Sequence, residues 1–220
     1  MNQQSINELL INLSIYNDLP KDIKMQARNS SHHIKLNMDY WGFTVWNGIE
    51  LNKNNIINEN EKLLSECYND LINGKRTTHI PDKFIVRNNV ILTQGIQESI
   101  DRDIGVVSTD LDYCSLGSSS TAEAEAQTDL QTEFTDTAYA RKQFSVEGVR
   151  TRNNQTMKLG MLWDEDDFDA VTRTIKEAGV HWHLSDASKC HARVVSTDFV
   201  LDSGDLFVVQ INELQENGTL

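Results

Sequence analysis

The chain has 220 residues and a mass of 25.0 kDa, with 33 acidic against 20 basic side chains, a net charge of -13 and a pI near 4.8. A charge this negative excludes a chain that coats bare nucleic acid, because such binding is driven by Lys and Arg displacing counterions from phosphates. No run of about 18 apolar residues is present to span a bilayer as a helix. The start lacks the basic residues and apolar core of a signal peptide, so the mature chain is expected to begin near Met1. With 39% hydrophobic and 24% charged residues, the composition is that of a folded chain with a real core.

The acidity is uneven. Residues 1–83 carry nine Lys/Arg and ten Asp/Glu, a net of -1, whereas residues 84–220 carry eleven and twenty-three, a net of -12. Asparagine shifts the other way, with fourteen before position 84 and six after it. Pro20 and Pro81 flank the changes in texture. The division predicts an α+β docking segment over 1–83 and a second domain over 84–220.

In chain order, Ser5 to Leu13 reads as a capped helix, with Glu8 three residues after Ser5 and a stripe of Leu9, Leu10 and Leu13. Pro20 opens a short helix near 21–27. Ile34–Met38 alternates, and Gly42–Ile49 is aromatic and β-branched with Asn47-Gly48 as a turn. Glu59–Ile72 carries Leu63, Leu64, Cys67 and Leu71 on one helical face and ends at Asn73-Gly74. Trp41 and Trp46 read either as core or as docking anchors.

Beyond Pro81 the reading is mostly β. Phe84–Leu92 has strand character broken at Asn88-Asn89, and Gly95–Arg102 suits a short helix. Val106–Leu116 alternates and runs into the small-residue stretch Gly117–Ala126. Phe144–Val149, Met157–Leu162, Thr174–His183, Ala192–Leu201 and Asp205–Leu214 are further strands, with turns at Asp164–Asp169 and Ser203-Gly204. The expected fold is mainly β: an antiparallel β-sandwich with an α+β N-terminal part.

Chemistry is sparse. Cys67, Cys114 and Cys190 are odd in number and show no CxxC spacing, so free or buried thiols in a reducing compartment are expected. No cofactor and no metal are expected. The candidates for a metal are His181 and His183, two imidazoles on one face of a strand near Cys190-His191, which would suit zinc or nickel. The acidic turn containing Asp164 and Asp166 offers oxygen ligands for calcium, but lacks the EF-hand spacing and its central glycine, and reads as a solvated loop. No GxSxG occurs, and Gly117–Thr121 lacks the Lys of a phosphate-binding loop. No catalysis is expected. The N-x-[ST] sequons at Asn12, Asn29, Asn154 and Asn217 follow from the high asparagine content.

From about 84 to 214 the order of motifs resembles a family of small virion structural proteins of tailed viruses. The residues that carry the resemblance are Ile91-Leu92-Thr93-Gln94-Gly95, Ser115-Leu116-Gly117-Ser118-Ser119-Ser120-Thr121-Ala122, Thr128-Asp129-Leu130-Gln131-Thr132-Glu133, Ile175-Lys176-Glu177-Ala178-Gly179-Val180, Ala192-Arg193-Val194-Val195 and Asp205-Leu206-Phe207-Val208-Val209-Gln210-Ile211. Ser119 stands where the family has a second glycine, and the family's proline is missing. The first 83 residues have no counterpart. The resemblance implies a β-sandwich built into a neck, tail, fibre or capsid appendage, without catalysis. It makes the virion the expected location, assembled from protein made in the host cytoplasm.

The same motifs have a physical reading. The small residues after Gly117 let the chain cross the sandwich edge, Leu130 plugs the open end of the core, and Glu133 lies near the rim. Glu177 interrupts an apolar strand, and Gly179 leaves room for a neighbouring backbone. A Glu beside a core wants a guanidinium, for which Arg193 and Arg141 are the candidates; the alternative is that Glu133 and Glu177 both face solvent. Two functions stay open. One is a virion assembly or attachment protein, a homo-oligomer that binds other virion proteins, but neither nucleic acid nor membrane directly. The other is a carbohydrate- or receptor-binding module in which Trp163, Trp182 and Tyr139 stack on a host glycan.

Overall fold

The structure, a computed structural model, describes residues 6–14, 16, 38–103, 105–106, 110–136, 140–153, 156–164, 167, 173–185, 190–202 and 204–214. The helix expected at 21–27, the run at 34–37, Tyr139 and Asp166 lie outside them.

Two antiparallel five-stranded sheets pack face to face. Sheet A has the order β2–β1–β10–β7–β6 and sheet B the order β3–β9–β8–β4–β5. The sheet A strands are β1 (Met38–Asn47), β2 (Lys83–Asn88), β6 (Gly148–Asn153), β7 (Thr156–Trp163) and β10 (Asp205–Leu214). Sheet B is built from β3 (Val90–Ile91), β4 (Tyr113–Gly117), β5 (Lys142–Gln143), β8 (Arg173–His181) and β9 (Cys190–Leu201). The antiparallel sandwich is the fold that the alternating runs predict.

Alternation decides what each face meets. On β1, Trp41, Phe43 and Val45 point between the sheets, where they join Met161, Trp163, Phe207 and Val209 of sheet A and Leu116, Val180, Val194 and Phe199 of sheet B. Phe43 and Phe207 stack at 6.1 Å between ring centres. The opposite face of sheet A presents Trp46, Phe84, Leu162 and Val208 to two helices. Helix α1 (6–14) supplies Leu9 and Leu13; α2 (Ile56–Ile72) supplies Ile56, Ile57, Leu64 and Cys67. The α2 stripe recurs at helical spacing, and the helix stops at Asn73 before Gly74, whose φ of 64° suits glycine. Under α2, the Trp46 indole donates to Asn60 Oδ1 at 2.9 Å, and Asn60 donates in turn to Gln210 Oε1 at 3.2 Å. Burying this tryptophan therefore leaves no orphaned donor.

Two expectations are corrected. Residues 1–83 are not a unit separate from the sandwich. Strand β1 lies inside sheet A between β2 and β10, paired from Tyr40↔Asn88 to Val45↔Lys83 on one side and from Met38↔Leu214 to Asn47↔Asp205 on the other. Phe144–Val149 is not one strand. Phe144–Glu147 forms the short helix α4, because Asp112 accepts from the backbone N–H of Phe144 at 2.7 Å and of Ser145 at 2.9 Å, and β6 begins only at Gly148. The break expected at Asn88-Asn89 separates β2 from β3, and the helix expected after Leu92 is α3 (Thr93–Asp103). Of the run 106–116, only its end forms β4 among the described residues.

Candidate functional site

The outer face of sheet B is polar, which is unusual for a face that is buried. Because Leu116, Ala178, Val180 and Val194 point inward, their neighbours Ser115, Gly117, Glu177, Gly179, His181 and Arg193 point outward. Two register shifts modify this alternation. At the second, Val180 pairs with Ala192 but His181 pairs with Cys190, so His191 is an extra residue in β9. This bulge places the Cys190 thiol with Leu92 and Leu130 instead of in the main core.

The segment 118–136 folds back over this face, and Glu177 fastens it there. Glu177 accepts from the backbone N–H of Ser119 at 3.3 Å, Gln131 at 3.1 Å and Thr132 at 2.8 Å. Arg193 Nε donates to Glu177 Oε2 at 2.7 Å, and neither side chain has any exposed surface. The rest of that guanidinium donates to Gln127 Oε1 and to the Thr121 carbonyl, each at 2.9 Å. Every polar group of the pair thus meets a partner, the condition on which a buried ion pair persists. Backbone bonds from Ser118 N to Thr132 O, at 2.9 Å, and from Phe134 N to Leu116 O, at 3.0 Å, close the segment onto β4.

Two glycines make the close approach possible. A Cβ at Gly117 would lie 2.5 Å from the Thr132 carbonyl oxygen and 2.6 Å from Glu177 Oε1. A Cβ at Gly179 would collide with Leu130 Cδ1. Leu130 thus fills the space over Gly179 on the outer face instead of plugging the end of the main core, and the neighbour that Gly179 accommodates is a side chain and not a backbone.

A second guanidinium closes the rim. Arg141 forms a fork with Glu133, from Nε to Oε1 at 2.7 Å and from Nη2 to Oε2 at 2.8 Å, and reaches Asp129 Oδ2 at 2.8 Å. Glu133 and Glu177 are therefore not left to solvent: Arg141 holds the first and Arg193 the second. Burial, set against the nearby Arg141, raises the Asp129 carboxyl to about 6. Burial, with Arg141 beside it, holds the His181 imidazole well below its ordinary value.

The tryptophans do not form a binding surface. Trp41, Trp46 and Trp163 have no exposed surface, and Trp182 shows 4%. Each is held by packing, so none offers a face for a sugar or a partner. His183 does not join His181 in a ligand pair; its Nε2 lies 3.8 Å from Glu98 Oε1. Asp164 pairs with Lys53 at 2.7 Å. An open cleft of about 580 Å³, lined by Glu8, Asn12, Asp82, Lys83 and Arg87, lies apart from the clamp.

Ser115, His181 and Asp129 lie in the order of a hydrolase triad, with 2.5 Å from Ser115 Oγ to His181 Nε2 and 3.5 Å from His181 Nδ1 to Asp129 Oδ1. Ser115 and His181 are fully buried, so Oγ meets no substrate. Sequence reading gave no role to Ser115 and Asp129, which appear there only within motifs of the resemblance, and did not single out Gln127, one residue beyond the small-residue stretch. Among the described residues, no helix is long and apolar enough to cross a membrane. No family model, curated protein or solved structure matches the chain.

Proposed function

We propose that the chain is a structural component of a tailed virus particle, an assembly or attachment protein of the head–neck–tail or appendage region that works without catalysis. One observation carries this reading. All but the last of the segments that carry the resemblance meet at the clamp over sheet B. Leu92 N bonds His191 O at 2.9 Å, Gly117 and Ser119 touch Glu177, Gln131 and Thr132 donate to it, and Arg193 pairs with it. A likeness made of common residues gains weight when those residues form one physical device. That device serves the fold: its charges face each other and its loop is closed. A sandwich with its polar groups so used acts through the surfaces it presents to neighbours, as subunits of symmetric particles do.

The test is the protein content of purified particles from the virus that encodes the chain. The chain is expected to co-purify with particles through a density gradient in a fixed ratio to the major capsid protein, and to be oligomeric when isolated. A chain found only in the soluble fraction of infected cells, and absent from particles, would overturn the reading. In the glycan-binding alternative, two of the three stacking residues, Trp163 and Trp182, are core residues, and the third, Tyr139, lies outside the described residues.

A further inference from the structure

Beside the clamp, Asp129, His181 and Cys190 converge. Each offers one ligand atom, and these atoms all lie within 4.8 Å of one another. They come from three places: the folded-back segment, the end of β8 and the start of β9. Cys190 reaches this face only because of the bulge at His191.

His181 supplies the second, independent observation. Its side chain is fully buried, and its Nδ1 has no hydrogen-bond partner. The nearest carboxylate oxygen, Asp129 Oδ1, is 3.5 Å away and misaligned for a hydrogen bond. A buried ring nitrogen left facing a carboxyl oxygen is costly, and a cation between the two removes the penalty.

We propose that Asp129, His181 Nδ1 and Cys190 Sγ bind one zinc ion. Thiolate, imidazole and carboxylate are a zinc ligand set, and the mixture of soft and hard donors disfavours calcium and magnesium. The surroundings fit. Metal binding through Nδ1 requires the tautomer with the proton on Nε2, and Ser115 Oγ, 2.5 Å from Nε2, is placed to accept it. Arg141 occupies Asp129 Oδ2, while Oδ1, which accepts from the Leu130 N–H at 2.8 Å, lies on the side of the histidine with a second lone pair to offer. The Cys190 thiol donates to the Ala192 carbonyl at 3.4 Å; binding exchanges that proton for the metal and releases it to solvent. Donors across a tetrahedral zinc stand roughly 3.3–3.5 Å apart at ordinary bond lengths, so from separations of at most 4.8 Å the widest pair closes in by about 1.3 Å at most. The ion would staple the folded-back segment to two strands of sheet B.

Tag-free full-length protein, stripped with a chelator, is titrated with Co²⁺ and separately reconstituted with Zn²⁺. The expected result is one metal per chain by elemental mass spectrometry, a thiolate-to-cobalt charge-transfer absorption in the near ultraviolet, and a higher melting temperature with zinc. Cys190→Ser removes the charge-transfer absorption, whereas Cys114→Ala, in the main core, retains it. Wild-type protein that takes up neither metal, or binds cobalt without the thiolate absorption, would overturn the proposal whether or not the variants fold. Equal absorption in wild type and Cys190→Ser would do the same.

Discussion

Arg193 Nε donates to Glu177 Oε2 at 2.7 Å, and this pair, with no exposed surface on either partner, holds a loop of the chain against its own sheet. The carboxylate does more than balance the guanidinium, because it also takes three backbone N–H groups from Ser119, Gln131 and Thr132. Removing either member leaves a buried charge without its partner.

Glu177→Gln and Arg193→Met are therefore each expected to destabilise the protein by about 3–5 kcal/mol, read as a lower urea midpoint. Replacing both with leucine does not restore stability, since the three N–H groups that face the carboxylate are left unpaired against apolar side chains. Hydrogen exchange over 118–134 rises in all three variants. A double-leucine variant as stable as wild type would refute this account of the clamp.

The two glycines of the clamp separate a rigid obstacle from a soft one. At Gly117 the obstacle is the Thr132 carbonyl, which belongs to the backbone; at Gly179 it is the end of the Leu130 side chain. Gly117→Ala and Gly179→Ala each lower stability by about 1–3 kcal/mol. Adding Leu130→Ala recovers part of the loss at Gly179 and none at Gly117. Thermal melts of the resulting double-mutant cycles measure the coupling.

A fragment of residues 84–220 retains every motif of the resemblance but lacks β1, α1 and α2. Sheet A then loses a central strand, and Leu162 and Val208 lose the helices that cover them. The fragment is expected to show no cooperative melt. A sharp transition at the wild-type temperature would restore the boundary at 83.

The three thiols are free and buried. Burial first, then Asp70, pushes the Cys67 thiol up to about 11, and burial raises Cys114 and Cys190 as well. At pH 8 none carries much thiolate, the reactive form. Zinc-stripped native protein is expected to react with a disulfide reagent only slowly, and to yield three thiols once denatured. Rapid native labelling would count against the buried placement.

Much of the fold is legible in the sequence because sheet and helix periods are local. The α2 stripe, the interruption at Asn88-Asn89 and the long alternating strands β8, β9 and β10 need no distant information. The need of Glu177 for a guanidinium is legible too, since a carboxylate in an apolar strand advertises its own discomfort. What stayed hidden depends on distant residues meeting. The helical turn at Phe144–Glu147 is imposed by Asp112, thirty-three positions before Ser145. The meeting of Asp129, His181 and Cys190 needs both a bulge and a loop that turns back. The tryptophans were ambiguous because a side chain that suits an interface also suits a core, and composition does not choose between them.

The pairing of Trp41 with Ile211 has a temporal side. Strand β1 is synthesised long before β10, yet β10 is the strand that joins it to β7. Until that strand emerges from the ribosome, β1 and β2 form only a two-stranded ribbon, too little for independent stability. Such distant pairing slows folding and prolongs the exposure of Phe43 and Trp41. The nascent chain is thus held open until almost all of these residues are made, a window in which chaperones have their strongest claim on it.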